Sequence, residues 1–165
     1  MIPEEIAGRL RERFTDVLVA RGEVTVLVSP ADVPDALASL RDDPVLSFDS
    51  LRCLTATHHP GAVPPIWVAY EMRSSVNHHR VRVKAGLDGD DAPHVPSVTG
   101  AFPTANWQER EVFDFFGVIF QGHPDMRRIL MPEDYEGFPQ RRDFPMGGEP
   151  VLFTFNEHKL PRWYE

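Results

Sequence analysis

Cysteine is almost missing from this chain of 165 residues: Cys53 is the one thiol, so no internal disulfide can form and a reducing compartment is the expectation. Cys-x-x-Cys, Gly-x-Gly-x-x-Gly and P-loop motifs are all missing too, so no familiar route to an iron–sulfur cluster or a nucleotide is written in it. Basic charge is scarce. Seventeen Lys and Arg stand against 25 Asp and Glu, a net charge of −8, which lacks the footprint of a nucleic-acid binder. No apolar run approaches the roughly 20 residues needed to span a bilayer. The opening MIPEEIAGRLRERF carries acids and no apolar h-region, so it does not read as a signal peptide. These gaps together set the expectation of a soluble, cytoplasmic chain.

What is present is an ordinary globular balance, 42% hydrophobic and 25% charged, with an excess of proline. Six of the 16 prolines fall from Gln121 onward, where long regular elements are not expected. The expected organisation is therefore an α+β core over 1–120, with one mixed or antiparallel sheet of about four strands and helices packed on it. An extended proline-rich tail over 121–165 follows.

Within the core, Ile6, Leu10, Phe14, Val17 and Leu18 recur at helical spacing, with Pro3 suiting the first turn and Gly22 the stop. Glu23–Val28 is β-branched and short, a buried strand. Ser29 and Asp32 read as a capping box opening a second helix that Pro44 closes. Phe48–Thr57, Ile66–Met72 and Arg80–Lys84 read as three strands, the second with Ile66, Val68, Tyr70 and Met72 on one face. Residues 85–103 read as a loop. His58-His59 and His78-His79 read as surface or turn histidines, since strand neighbours point to opposite faces. Cys53, inside a strand, reads as a small buried hydrophobe.

The informative stretch starts at Asn106. Asn106 and Glu109 suit a capping box, Gly117 a stop, and Trp107, Val112, Phe113, Phe115 and Phe116 wrap much of the helix between them. Such a helix is expected to be covered on more than one side. Arg110 and Asp114 stand four apart and can pair, whereas Glu109 and Glu111 diverge. Beyond it, Arg127-Arg128 and Arg141-Arg142 alternate with Asp125, Glu133, Asp134, Glu136 and Asp143, a pattern that favours salt bridges over anion binding. Ordering about 45 tail residues at roughly 1–2 kcal/mol each needs most of their apolar side chains buried, so neighbouring subunits are expected to help.

Glu109-Arg110-Glu111, Asp114-Phe-Phe-Gly117, His123-Pro124, Arg127-Arg128-Ile-Leu130 and Gly137-Phe-Pro-Gln-Arg-Arg-Asp-Phe-Pro145 closely resemble one signature. It is that of the C subunit, or 30-kDa subunit, of the proton-translocating NADH–quinone oxidoreductase, respiratory complex I. The resemblance implies a chain that binds no flavin, cluster or metal and holds no catalytic residue. The complex would carry FMN and iron–sulfur clusters and pass electrons from NADH to quinone. It implies packing on the D subunit, which with the B subunit forms the quinone site, and contacts with other peripheral-arm subunits. It places the chain on the cytoplasmic side of the cell membrane, held there only through the complex. The same signature serves the equivalent subunit of membrane-bound nickel–iron hydrogenases and related complexes. Apart from the resemblance, a metallohydrolase built on His58, His59, His123 and Glu109 is the rival enzyme reading.

Overall fold

A computed structural model of the chain describes residues 1–89 and 92–145. Its first helix, α1 (Pro3–Leu10), is shorter than the apolar spacing suggests. Val17 and Leu18 belong instead to β1 (Asp16–Ala20), which pairs antiparallel with β2 (Glu23–Val28), Val17 facing in and Leu18 out at 54% exposure. Gly22 is therefore no helix stop. With Arg21 it forms the two-residue turn of a hairpin, both at positive φ (54° and 76°), the geometry whose twist matches the strands it joins. Two apolar residues can satisfy a helical and a strand spacing alike, and here the pairing with β2 decided.

Ser29 makes no side-chain cap, and neither does Asp32. Residues Pro30–Asp32 form a 3-10 turn before α2 (Val33–Asp42). Asp43 then breaks the chain out of the helix, its Oδ1 accepting the N–H groups of Val45 and Leu46, each at 2.8 Å. β3 (Ser50–His58), β4 (Ile66–Arg73) and β5 (Arg80–Leu87) follow as expected, β5 running slightly further than the alternation showed.

The sheet has five strands in the order β1-β2-β5-β4-β3, one more than expected. The β2–β5 pair is parallel and the others antiparallel, so it is mixed. Its inner face is Val24, Val26, Ile66, Val68, Tyr70, Met72, Val81, Val83, Ala85 and Leu87, all essentially without exposure. α1 lies against β1 and β2, and Leu37 and Leu40 of α2 complete the same core. Ile66, Val68, Tyr70 and Met72 share the core face, as their period of two requires.

Residues 85–103 are not simply a loop. β6 (His94–Pro96) pairs in parallel with β7 (Ile119–Gln121), and Val95, Val98 and Phe102 enter the core. A three-residue strand whose partner lies some 25 residues on leaves no local period to read. β7 also runs across position 120, the expected junction of core and tail.

Two side-chain expectations are corrected. Cys53 is exposed, because a bulge between Leu51 and Cys53 breaks the alternation there. Its thiol is pushed up by partial burial and by the charges of Glu71 and Glu111. Of the histidines, His59 and His78 are exposed but His58 and His79 are buried. His79 donates Nε2–H to the Leu46 carbonyl at 2.7 Å and stacks at a tilt on Phe48.

Candidate functional site

The residues singled out by the sequence gather around α3 (Ala105–Phe116), which packs on edge strand β3. Gln108 accepts the Leu54 N–H from that edge. The helix is apolar on the sheet side, with Val112 and Phe116 buried, Phe113 and Phe115 half-buried and Trp107 63% exposed. Among the described residues, then, one flank of this over-apolar helix stays open.

No capping box forms. Thr104 precedes the helix without a side-chain cap, and Asn106 lies inside it. Glu109 turns instead into the core, where Oε2 accepts the Ser97 hydroxyl at 2.7 Å and Oε1 the Val98 N–H at 2.8 Å. It is fully buried, and burial pushes its carboxyl up, opposed by those two donors and by nearby His123. The buried Tyr70 hydroxyl is pushed up as well, by burial and by Glu109. Glu109 thus pins the segment that follows β6 to α3. Glu111 is exposed.

His123 fastens the turn that includes Pro124. Its Nδ1 accepts the Asp125 N–H at 3.0 Å, so Nε2 carries the proton and donates to the Asn106 carbonyl at 3.1 Å. Arg110 does not pair with Asp114. It donates to the carbonyls of Arg127 and Arg128, each at 3.1 Å, with its guanidinium 5.3 Å from the Trp107 ring centre. Arg127 forms a forked pair with Asp125 on the surface, both bonds at 2.7 Å.

Asp114 is the centre of the arrangement. Though fully buried, it accepts four bonds: Arg128 Nη1 at 2.7 Å on Oδ1, and on Oδ2 the successive N–H groups of Ile129, Leu130 and Met131 at 3.0, 2.7 and 2.9 Å. Burial alone would raise this carboxyl. The Met131 and Leu130 amides, Arg128 and the Ile129 amide outweigh it and hold Asp114 below the usual carboxylate range.

The carboxyl end of α3 shows why the rest of the signature is needed. A helix leaves its last four carbonyls without partners. Here the Phe113 carbonyl is bound by Gly117 N–H at 2.8 Å, that of Asp114 by Arg128 Nη1 at 3.1 Å, that of Phe115 by Gln140 N–H at 3.2 Å and that of Phe116 by Arg141 Nε at 2.6 Å. Two of these donors are cations at the negative end of the helix, which the dipole favours. Phe138 lies between the same two guanidiniums, 5.5 Å from Arg128 and 4.9 Å from Arg141. Its ring also covers Gly117, whose φ is +72° and where a Cβ would stand 2.5 Å from the ring. The Gly137 carbonyl accepts Arg128 Nη2 at 3.0 Å, and this glycine, at φ +96°, lies under Phe144.

Further along, the Arg142 N–H donates to His58 Nδ1 at 3.2 Å, and the Asp143 carboxylate stands 3.5 Å from the same nitrogen. The arrangement as a whole is an anchor: one helix end, saturated with hydrogen bonds, holding an irregular arm against β3. Spacing alone does not show it, because Gln140 acts through its backbone and Glu109 through a loop that precedes it.

The histidine and carboxylate set of the rival enzyme reading is not assembled. His58 meets the arm at Arg142, His59 faces solvent, and Glu109 and His123 make the separate bonds described above. Among the described residues no three His, Cys, Asp or Glu side chains are grouped to hold a metal, and no helix is long and apolar enough to cross a membrane. Val151, Leu152, Phe153, Phe155, Trp163 and Tyr164, further apolar residues of the tail, lie outside the described residues.

Residues 26–150 match the family described as respiratory-chain NADH dehydrogenase, 30 Kd subunit. The chain is 45% identical over 159 residues to the C subunit of the NADH-quinone oxidoreductase of Roseiflexus sp. (strain RS-1), covering 94% of this chain and 91% of that one. Identity to the C subunit from Roseiflexus castenholzii is 42% at the same coverages. The C subunit from Salinispora arenicola is likewise 42% identical, over 96% of this chain but 64% of its own greater length.

Proposed function

The chain belongs to the 30-kDa subunit family of the respiratory-chain NADH dehydrogenase, the C subunits of NADH–quinone oxidoreductase, and from that premise we propose that it is a non-catalytic brace of the peripheral arm. It packs on the D subunit, which with the B subunit forms the quinone site, and joins that pair to further peripheral-arm subunits. Electrons pass from NADH through FMN and iron–sulfur clusters held by other chains to quinone, with proton translocation, while this chain binds none of those groups. It is held at the cytoplasmic side of the cell membrane through its partners.

The observation that carries this reading is how the signature polar groups are used. Asp114 and Arg128 bind each other, and with Arg141 they bind carbonyls and amides of the same chain, holding an arm in place. That arm leaves apolar surface uncovered beside it: Leu130 is 60% exposed and Trp107 63%. Large side chains of this kind, fixed on a rigid support, suit burial against another protein. Affinity purification of the chain from gently solubilised native membranes tests the reading. Flavin, iron–sulfur and quinone-site subunits should be recovered with it. A lone chain refutes the brace, and a nickel–iron large subunit in place of the NADH-oxidising chains refutes the assignment to this complex.

A further inference from the structure

The outer face of the sheet carries a basic depression that the anchor does not use. Register puts Arg73 of β4 opposite Arg80 of β5, so two guanidinium groups are direct cross-strand neighbours on one face. Like charges in that position destabilise a strand pair. Arg80 is compensated by Glu23 at 2.9 Å, which also binds Arg82 at 3.0 Å, and Arg82 meets Glu71 in turn. Arg73 is exposed and has no carboxylate partner among the described residues. Beside it, the bulge in β3 inserts Arg52 as an additional residue, also exposed and also without such a partner. Bulges re-aim side chains, and this one brings Arg52 to the same depression, about 580 Å³ in volume, as Arg73, Arg80 and Arg82. Four guanidiniums thus meet two carboxylates on a chain whose net charge is −8.

We propose that this depression docks an acidic segment of a neighbouring protein subunit, with the free guanidiniums of Arg52 and Arg73 taking its carboxylates. The inference rests on the reading of the chain as one subunit of a larger assembly. A local rule of strand pairing is broken at Arg73 and Arg80, and an incoming carboxylate removes the repulsion. The planar fork of arginine matches a carboxylate in shape. Glu23 and Glu71 keep the positive excess small, which suits singly charged groups better than a phosphate. An anionic bilayer is recognised by clusters of about four to eight basic residues, and here only two lack compensation.

The test uses the complex isolated from native membranes. A photo-cross-linking amino acid placed at position 73 should give a covalent product with another subunit, mapping to a stretch rich in Asp and Glu. The substitution Arg73→Glu turns the repulsive strand pair into an attractive one, so the isolated chain should unfold at an equal or higher denaturant concentration. The same substitution, combined with Arg52→Glu, should lower retention of the chain on the complex roughly three- to tenfold at moderate salt. Opposite signs in the two assays separate lost docking from misfolding. Full retention of the double variant, or cross-links confined to lipid or to this chain, overturns the proposal while leaving the brace intact. A parent chain that fails to co-purify with other subunits overturns both.

Discussion

Replacing Asp114 by Asn should release the arm while leaving the sheet folded. The side chain keeps its volume but loses its charge, and one oxygen becomes an N–H donor. Oδ2 faces three amides and Oδ1 faces Arg128, so either orientation of the new amide sets donor against donor. Hydrogen bonds to a charged group contribute about 1.5–3 kcal/mol each, and breaking a buried ion pair from one side costs about 3–5 kcal/mol. These four bonds act as a unit and are not summed, so a loss of about 3–4 kcal/mol falls on docking of the arm. At about 1.4 kcal/mol per tenfold, hydrogen exchange at Ile129, Leu130 and Met131 should accelerate by roughly 100- to 1000-fold. Amides of β2, β4 and β5 should change little, because the buried cluster over them is drawn from α1, α2, α3 and the 95–120 segment, with Met126 of the arm packed only against its margin. Unchanged protection at 129–131, or equal loss across the central strands, would refute the reasoning. The pH dependence has a fixed sign. The Asp114 carboxyl is lowered in the folded chain, so its contribution is present above the ordinary carboxylate value near about 4. It is lost only as pH falls through the lower, folded value, and the arm should stay docked at about pH 5.

Glu109 should behave in the opposite sense. Its carboxyl is raised by burial, so its contribution is present below the ordinary value and lost as pH rises through the raised one. Glu109→Gln does not titrate, and its oxygen can keep the Val98 amide while its NH2 faces Ser97. Its stability relative to the parent, followed by urea unfolding, should therefore rise from about pH 4 toward neutrality, and a flat difference would contradict the burial argument. Gly117→Ala and Gly22→Ala share a positive φ, but only the first would meet Phe138. Gly22→Ala should cost about 1–2 kcal/mol and Gly117→Ala about 1–3 kcal/mol more, measured by denaturant midpoints. Charge reversal at Arg128, whose guanidinium binds Asp114 and the Gly137 carbonyl, should sharply reduce the amount of chain in the assembled complex. Reversal at Arg127, which among the described residues pairs with neighbouring Asp125 on the surface, should have little effect, and turnover per assembled complex should change in neither. Equal effects in a native-gel assay would show that charge, not anchoring, is what matters.

Elements whose period is unambiguous can be read from the order of amino acids alone. β4 and β5 are legible because alternating apolar spacing fixes which face meets the core, and β2 because a short β-branched run reads as a buried strand, whatever the partner. The stop at Gly117 is legible because a left-handed residue after an apolar helix is a local matter. Contacts between distant parts of the chain settle the rest. Val17 and Leu18 fit two periods, and only pairing with Glu23–Val28 chose the strand. Cys53 fits a buried position until a bulge shifts the register. Above all, Asp114 stands four residues from Arg110 on a helix and yet binds Arg128 and the amides of 129–131. A buried carboxylate takes the partners that satisfy all its lone pairs away from water, and those partners were brought to it by the returning chain rather than by the helix on which it sits.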